Sequence, residues 1–163
     1  MDGVRLIARY LGSYRKDFLI AVLCVALETS LELVIPLLMA NVIDDGIIGR
    51  DLGAVAVNGA LMLVFALGAL VLGFAYARFS ARAAMGLGAN LREAEYTHLQ
   101  EFSFANLDDF ESSSLVTRLT TDVTVIQNAL VSGTRPLTRG PSILILGLIF
   151  AAVMSPELAV VFF

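Results

Sequence analysis

The chain has 163 residues, of which 58% are hydrophobic and 16% charged, with a mean hydropathy of +0.82. Ordinary soluble domains are about 45–50% apolar and about 25% charged, so this composition argues against one. The net charge of -4 argues against a nucleic-acid partner, which would call for a basic face, and the single cysteine excludes an internal disulfide.

The apolar residues fall in long blocks, and a block of roughly 20 is what a bilayer crossing requires. A polar lead with Arg5, Arg9, Arg15 and Lys16 precedes the first block, which runs from about 18 to 43. That block is too long for the apolar region of a cleaved signal, about 7–15 residues, so it is expected to be a retained first span. Cys24 within it reads as a small packing residue. Glu28, Thr29, Ser30, Glu32 and Pro36 interrupt the block, and Asp44-Asp45-Gly46 supplies a turn, with Gly49 loosening the loop that follows.

The second block, 53–77, carries no charge and is the cleanest span. Residues 78–136 differ sharply, holding 12 of the 26 charged residues and favouring cytoplasmic helices. A third crossing is expected over 137–154, with Arg135 and Arg139 snorkelling to the interface. Ser155-Pro156-Glu157 makes a turn, and a fourth apolar run opens at 158.

Of the 11 Lys and Arg residues, only Arg50 lies in the short acidic loop between the first two spans. The others lie in or border the long polar segment or precede the first span. The positive-inside rule therefore places the N-terminus and the long segment on the cytoplasmic side, and the membrane is expected to be the plasma membrane.

Within the long segment, Arg78 to Phe102 contains good helix formers and no proline. Continuing the second span, 25 residues reach roughly 38 Å beyond the membrane. Phe104, Leu107 and Phe110 then recur at three-residue spacing in a short amphipathic insert. Ser112-Ser113-Ser114 is an N-cap cluster for a returning helix. That helix should bury one stripe, Leu115, Leu119, Val123, Ile126 and Leu130, and Arg118 can pair with Asp122 one turn away. Pro136 and Pro141 should kink or reset it. A bare connection needs only a few residues, so this excursion implies a cytoplasmic partner, and its aromatic tip asks for a hydrophobic groove.

Phe110-Glu-Ser-Ser-Ser-Leu-Val-Thr-Arg-Leu-Thr-Thr-Asp-Val123 resembles the first intracellular loop of ABC exporters, which have six transmembrane helices per half. Thr117-Arg118-Leu119-Thr120-Thr121-Asp122-Val123 fits the sequence that starts the third helix in that family. Ile35-Pro36-Leu37-Leu38-Met39-Ala40-Asn41-Val42-Ile43-Asp44 looks like the end of the first. Where many members carry a glycine, this chain has Ser113-Ser114. That form is similar to bacterial multidrug-type half-transporters, many of them heterodimers.

The resemblance implies an all-α polytopic membrane bundle with long cytoplasmic extensions, forming the N-terminal part of an exporter's membrane domain. It implies a coupling helix over Asn106, Leu107, Asp108, Asp109, Phe110, Glu111, Ser112 and Ser113, docking on a nucleotide-binding domain. It also implies a second half-transporter, lipid contact, and ATP with Mg bound by the nucleotide-binding domain, which these residues lack. No Gly-x-x-x-x-Gly-Lys-Ser/Thr phosphate loop occurs here, so the chain itself is expected neither to bind nor to hydrolyse ATP. A stand-alone oligomeric pore or scaffold, or a membrane-anchored signalling module, is the competing class.

Glu28 and Glu32 lie one turn apart in the first span. A carboxylate at bilayer depth costs about 2.5–3.5 kcal/mol, so both should face the bundle interior or a water-filled cavity. They are candidate cavity residues, either binding a cation or proton or serving as solvated structural groups. His98, with Glu95 and Glu101 three residues to either side, offers too few ligands for a metal and reads as solvated surface. Gly68, Gly73, Gly86 and Gly88 are a weak signal of close packing, with no Gly-x-x-x-Gly pair.

Overall fold

A computed structural model describes residues 7–101 and 117–154. The proposed coupling residues 106–113, the serine cluster at 112–114 and the apolar run from 158 lie outside them. Among the described residues every regular element is helical. After a short 3-10 turn, Gly12–Tyr14, come α1 (Arg15–Asn41), α2 (Leu52–Gln100) and α3 (Val123–Met154). Wide π-helical turns, Val42–Ile48 and Arg118–Asp122, follow α1 and precede α3.

α1 is unbroken despite its polar residues. Thr29 Oγ1 donates to the Val25 carbonyl and Ser30 Oγ to the Ala26 carbonyl, each at 2.8 Å. Bonding back one turn lets a hydroxyl sit in an apolar helix without an unmet donor. Asp44-Asp45-Gly46 does not turn the chain, because those residues continue the π-helical segment. The reversal comes at Gly49–Asp51, where Arg50 takes a left-handed φ of 55°. Asp51 Oδ1 then accepts from the Gly53 N–H at 2.8 Å and caps α2.

α2 holds 49 residues, more than twice the roughly 20 that a crossing requires. Two helical stretches, Gly12–Ile48 and Leu52–Gln100, are long and apolar enough to cross a membrane. Only 6% of the apolar stretch of the second is buried in the protein, so it is not the covered core helix of a soluble domain. α3 passes through Pro136 and Pro141 as one helix, so neither proline resets it.

The chain divides into two packing units. One comprises residues 1–21 and 77–134, the other 22–76 and 135–163.

In the first unit, Leu11, Leu87, Leu91 and Val123 form a buried cluster, with Ile7, Tyr10, Phe18 and Leu130 packed against it. Fully burying a side chain of this kind stabilises by about 1.5–3 kcal/mol. The Asn90 side chain donates to the Tyr10 carbonyl at 2.7 Å, fixing the N-terminal segment to α2. The buried stripe of the returning helix differs from the expected one. Val123 is fully buried and Leu130 partly so, but Ile126 is exposed and the polar Gln127 and Thr134 are buried. Arg118 and Asp122 lie in the π-helical turn and no ion pair joins them, because that turn does not keep α-helical spacing.

In the second unit, Val25, Glu28, Thr29, Ala69 and Tyr76 are buried, while Leu63, Val64, Leu67, Leu70, Val71 and Phe74 are exposed. An apolar face of that extent is unusual for a soluble monomer and suits lipid or further helices.

Candidate functional site

The second unit brings Glu28 and Glu32 to a cleft of about 530 Å³, lined also by Ile35, Ala66, Ala69, Leu70, Gly73, Phe74 and Arg135. Neither carboxylate is alone. Arg135 Nη2 donates to Glu28 Oε1 at 2.5 Å, and Arg139 Nη2 donates to Glu32 Oε2 at 2.6 Å. The arginines expected to snorkel instead serve as counter-ions. Both pairs have a sequence separation of 107, so glutamate and arginine positions ascend together. α1 and α3 therefore run parallel here, and the pairs form a two-rung ladder with one helical turn between rungs.

The rungs differ in environment. The Glu28 side chain is 7% exposed and Glu32 34%, against 43% and 40% for Arg135 and Arg139. Arg135 also lies over the Tyr76 ring, 5.5 Å from its centroid, a cation–π contact that helps seat the guanidinium. Glu28 Oε2 is sealed from solvent with no hydrogen-bond partner. Gly73 makes room for the pair, since a Cβ there would lie 3.1 Å from Glu28 Oε1. All four glycines singled out in the sequence meet a neighbour at similar or shorter range, Leu31, Glu28, Tyr14 and Gln127 in turn. Chemically, the cleft offers apolar walls and two internally compensated charge pairs. No group of metal-ligating residues occurs among the described residues. His98 is exposed beside Glu101 at 3.4 Å, as its sequence context suggests.

Sequence reasoning missed the pairing, although it had the signal. Glu28/Glu32 and Arg135/Arg139 each carry a four-residue spacing, and equal spacings on two helices permit matched contacts.

A second cluster lies in the first unit. Glu95 on α2 faces Asp122, Arg118 and Arg92, and its Oε2 is buried without a partner. Partial burial and then Asp122 push its carboxyl above the ordinary 4.5, against the opposing pull of Arg118 and Arg92. Below 4.5 the folded and unfolded states are both protonated and the group is neutral to stability. As pH rises, the unfolded chain ionises first, so stability falls until the raised value is passed. Glu95→Gln is therefore expected to flatten the loss of thermal stability as pH rises above the ordinary 4.5, and to raise the melting temperature at neutral pH. An unchanged pH profile in calorimetry would remove this account.

Two long apolar helices, with a charge-compensated cleft beside them, are the features of a membrane-embedded helical protein. The match to known proteins makes this specific. Residues 18–163 fit the family described as the ABC transporter transmembrane region, and the chain belongs to that family. Similar proteins include the uncharacterised ABC transporter ATP-binding protein YfiB of Bacillus subtilis strain 168, 31% identical over 139 residues. That alignment covers 85% of this chain and 24% of YfiB. YknV of the same organism, with the same printed description, is 30% identical over 158 residues, 93% of this chain and 25% of its own length. Rv1273c of Mycobacterium tuberculosis, also so described, is 28% identical over 153 residues, 90% and 25% respectively. The chain thus spans about a quarter of the length of these relatives.

Proposed function

We propose that this chain is the N-terminal part of the membrane domain of a bacterial ATP-driven exporter of lipophilic compounds, with its N-terminus and residues 78–136 in the cytoplasm. α1, the first half of α2 and the second half of α3 are its first three spans. Asn106 to Ser113 form the coupling helix, docking in a groove of a nucleotide-binding domain that holds ATP and Mg. A second half-transporter, identical or different, completes the pathway, and the Glu28/Glu32 cleft contributes to it.

The observation that carries the reading is the family match across residues 18–163, with the relatives' description as ATP-binding proteins supporting a nucleotide-driven whole. The parallel course of α1 and α3 supports it further. Two helices pointing the same way, joined through α2, fit a chain that crosses out, back and out again.

The test uses the full-length gene product. Its expected form is a protein several times heavier than 17.5 kDa that hydrolyses Mg-ATP and drives ethidium into everted vesicles. Phe110→Ala should leave ATP binding intact and lower transport by about tenfold, as loss of an apolar anchor from a groove does. A native product near 17.5 kDa without ATP hydrolysis would overturn the exporter in favour of a stand-alone membrane protein.

A further inference from the structure

Gln127 is a polar residue in the buried stripe of the returning helix, and its partners show what it does there. Its Nε2 donates to the Ala84 carbonyl of α2 at 3.1 Å, and its Oε1 accepts from Arg92 Nη2 at 3.1 Å. Gly88 lies midway between Ala84 and Arg92 on one face of α2. A Cβ on it would come within 2.1 Å of Gln127 Nε2, so only glycine leaves the amide its place.

Arg92 carries the contact on into the π-helical turn. The Val123 N–H bonds to the Thr120 carbonyl, so it does not serve the Leu119 carbonyl as an α-helix would have it do. Arg92 Nε donates to that Leu119 carbonyl at 3.2 Å. Thr124 spends its hydroxyl hydrogen on the Thr120 carbonyl at 2.7 Å, which leaves its oxygen to accept from Arg92 Nη2 at 3.4 Å. One guanidinium thus spans a backbone carbonyl, a hydroxyl and an amide, all neutral acceptors. Its planar fork makes those contacts at once, and a lysine ammonium does not reproduce them.

We infer that Arg92, seated by Gln127 over Gly88, is a positioning residue that clamps the irregular start of the returning helix to α2. Resting on the exporter reading above, its role is to make the segment just after the coupling helix move with α2 when nucleotide is hydrolysed. Without the clamp the π-helical turn would absorb that displacement. The three contacts need the fork, while the charge also faces Glu95, so Arg92→Lys, which keeps the charge and removes the fork, is the informative variant.

The experiment uses the full-length protein in nanodiscs and reads hydrogen exchange with and without Mg-ATP and vanadate, alongside ATP hydrolysis. In the wild type, Mg-ATP with vanadate should change exchange in the spans. In Arg92→Lys, exchange at residues 117–124 should rise by on the order of tenfold, the loss expected for a hydrogen bond to a charged group. ATP hydrolysis should persist while the nucleotide-driven change in the spans is lost. Gln127→Leu should reproduce both effects. Wild-type behaviour in Arg92→Lys overturns the inference, as does a parallel loss of hydrolysis and span response, which would mark a merely structural residue. A wild-type protein that hydrolyses no ATP overturns the exporter reading itself, so the two failures are distinguishable.

Discussion

Glu28→Ala is expected to destabilise the full-length protein by about 3–5 kcal/mol, and Arg135→Ala by a similar amount, because each strands a charge that the other compensates. The cost comes less from the lost contact than from the partner left behind. Glu28 is nearly sealed, and Arg135 without it keeps only the Tyr76 ring. Replacing both residues with methionine removes both charges, and stability should return to within about 1 kcal/mol of wild type. The outer rung is more open, so Glu32→Ala should cost about 1 kcal/mol. Thermal unfolding of the purified protein in one detergent, run as a double-mutant cycle, reads all of this. If the effects of the Glu28 and Arg135 alanine variants simply added, the rung would not be an energetic unit.

Gly86→Val is expected to unseat the N-terminal segment. A Cβ at Gly86 would lie 2.2–2.4 Å from three atoms of the Tyr14 ring, and a planar ring cannot fold away as a flexible chain does. The overpacking should cost about 1–3 kcal/mol and expose the Leu11 cluster to protease. Tyr14→Ala in the same chain should restore resistance, since the void it leaves accepts the new side chain. Gly140 provides the contrast, with open space where its Cβ would be. Gly140→Ala within α3 should be neutral or stabilising by up to about 1 kcal/mol through helix propensity. Limited proteolysis that cut Gly86→Val and wild type at equal rates would refute the packing argument.

Much of the fold could be read from the chain, because bilayer crossings are written in composition. The uncharged run from Gly53 to Ala77 forms the first half of α2, and the helix continues into the polar segment as its residue types suggest. Local detail was less legible where a tertiary partner decided it. Asp44-Asp45-Gly46 has turn chemistry yet stays helical, and the reversal waits for Gly49 to Asp51. Gln127 occupies a stripe position at which apolar periodicity selects Ile126, because its partners on α2 lie 43 and 35 residues earlier in the chain. The candidate cleft residues Glu28 and Glu32 were visible as anomalies in an apolar helix. Their guanidinium partners showed only as a matching four-residue spacing, since nothing local connects residues 107 positions apart.

The two-rung ladder also restricts how α1 and α3 can shear. Because both rungs share one offset, a small slide of α3 along α1 stretches both together and has no intermediate pairing to fall into. The next commensurate position is a full turn away, about 5.4 Å, and joins Glu32 to Arg135 while stranding Glu28 and Arg139. Rolling or tilting about the ladder meets no such barrier. Sliding α3 along α1 therefore costs both pairs together, whereas rotation can keep them.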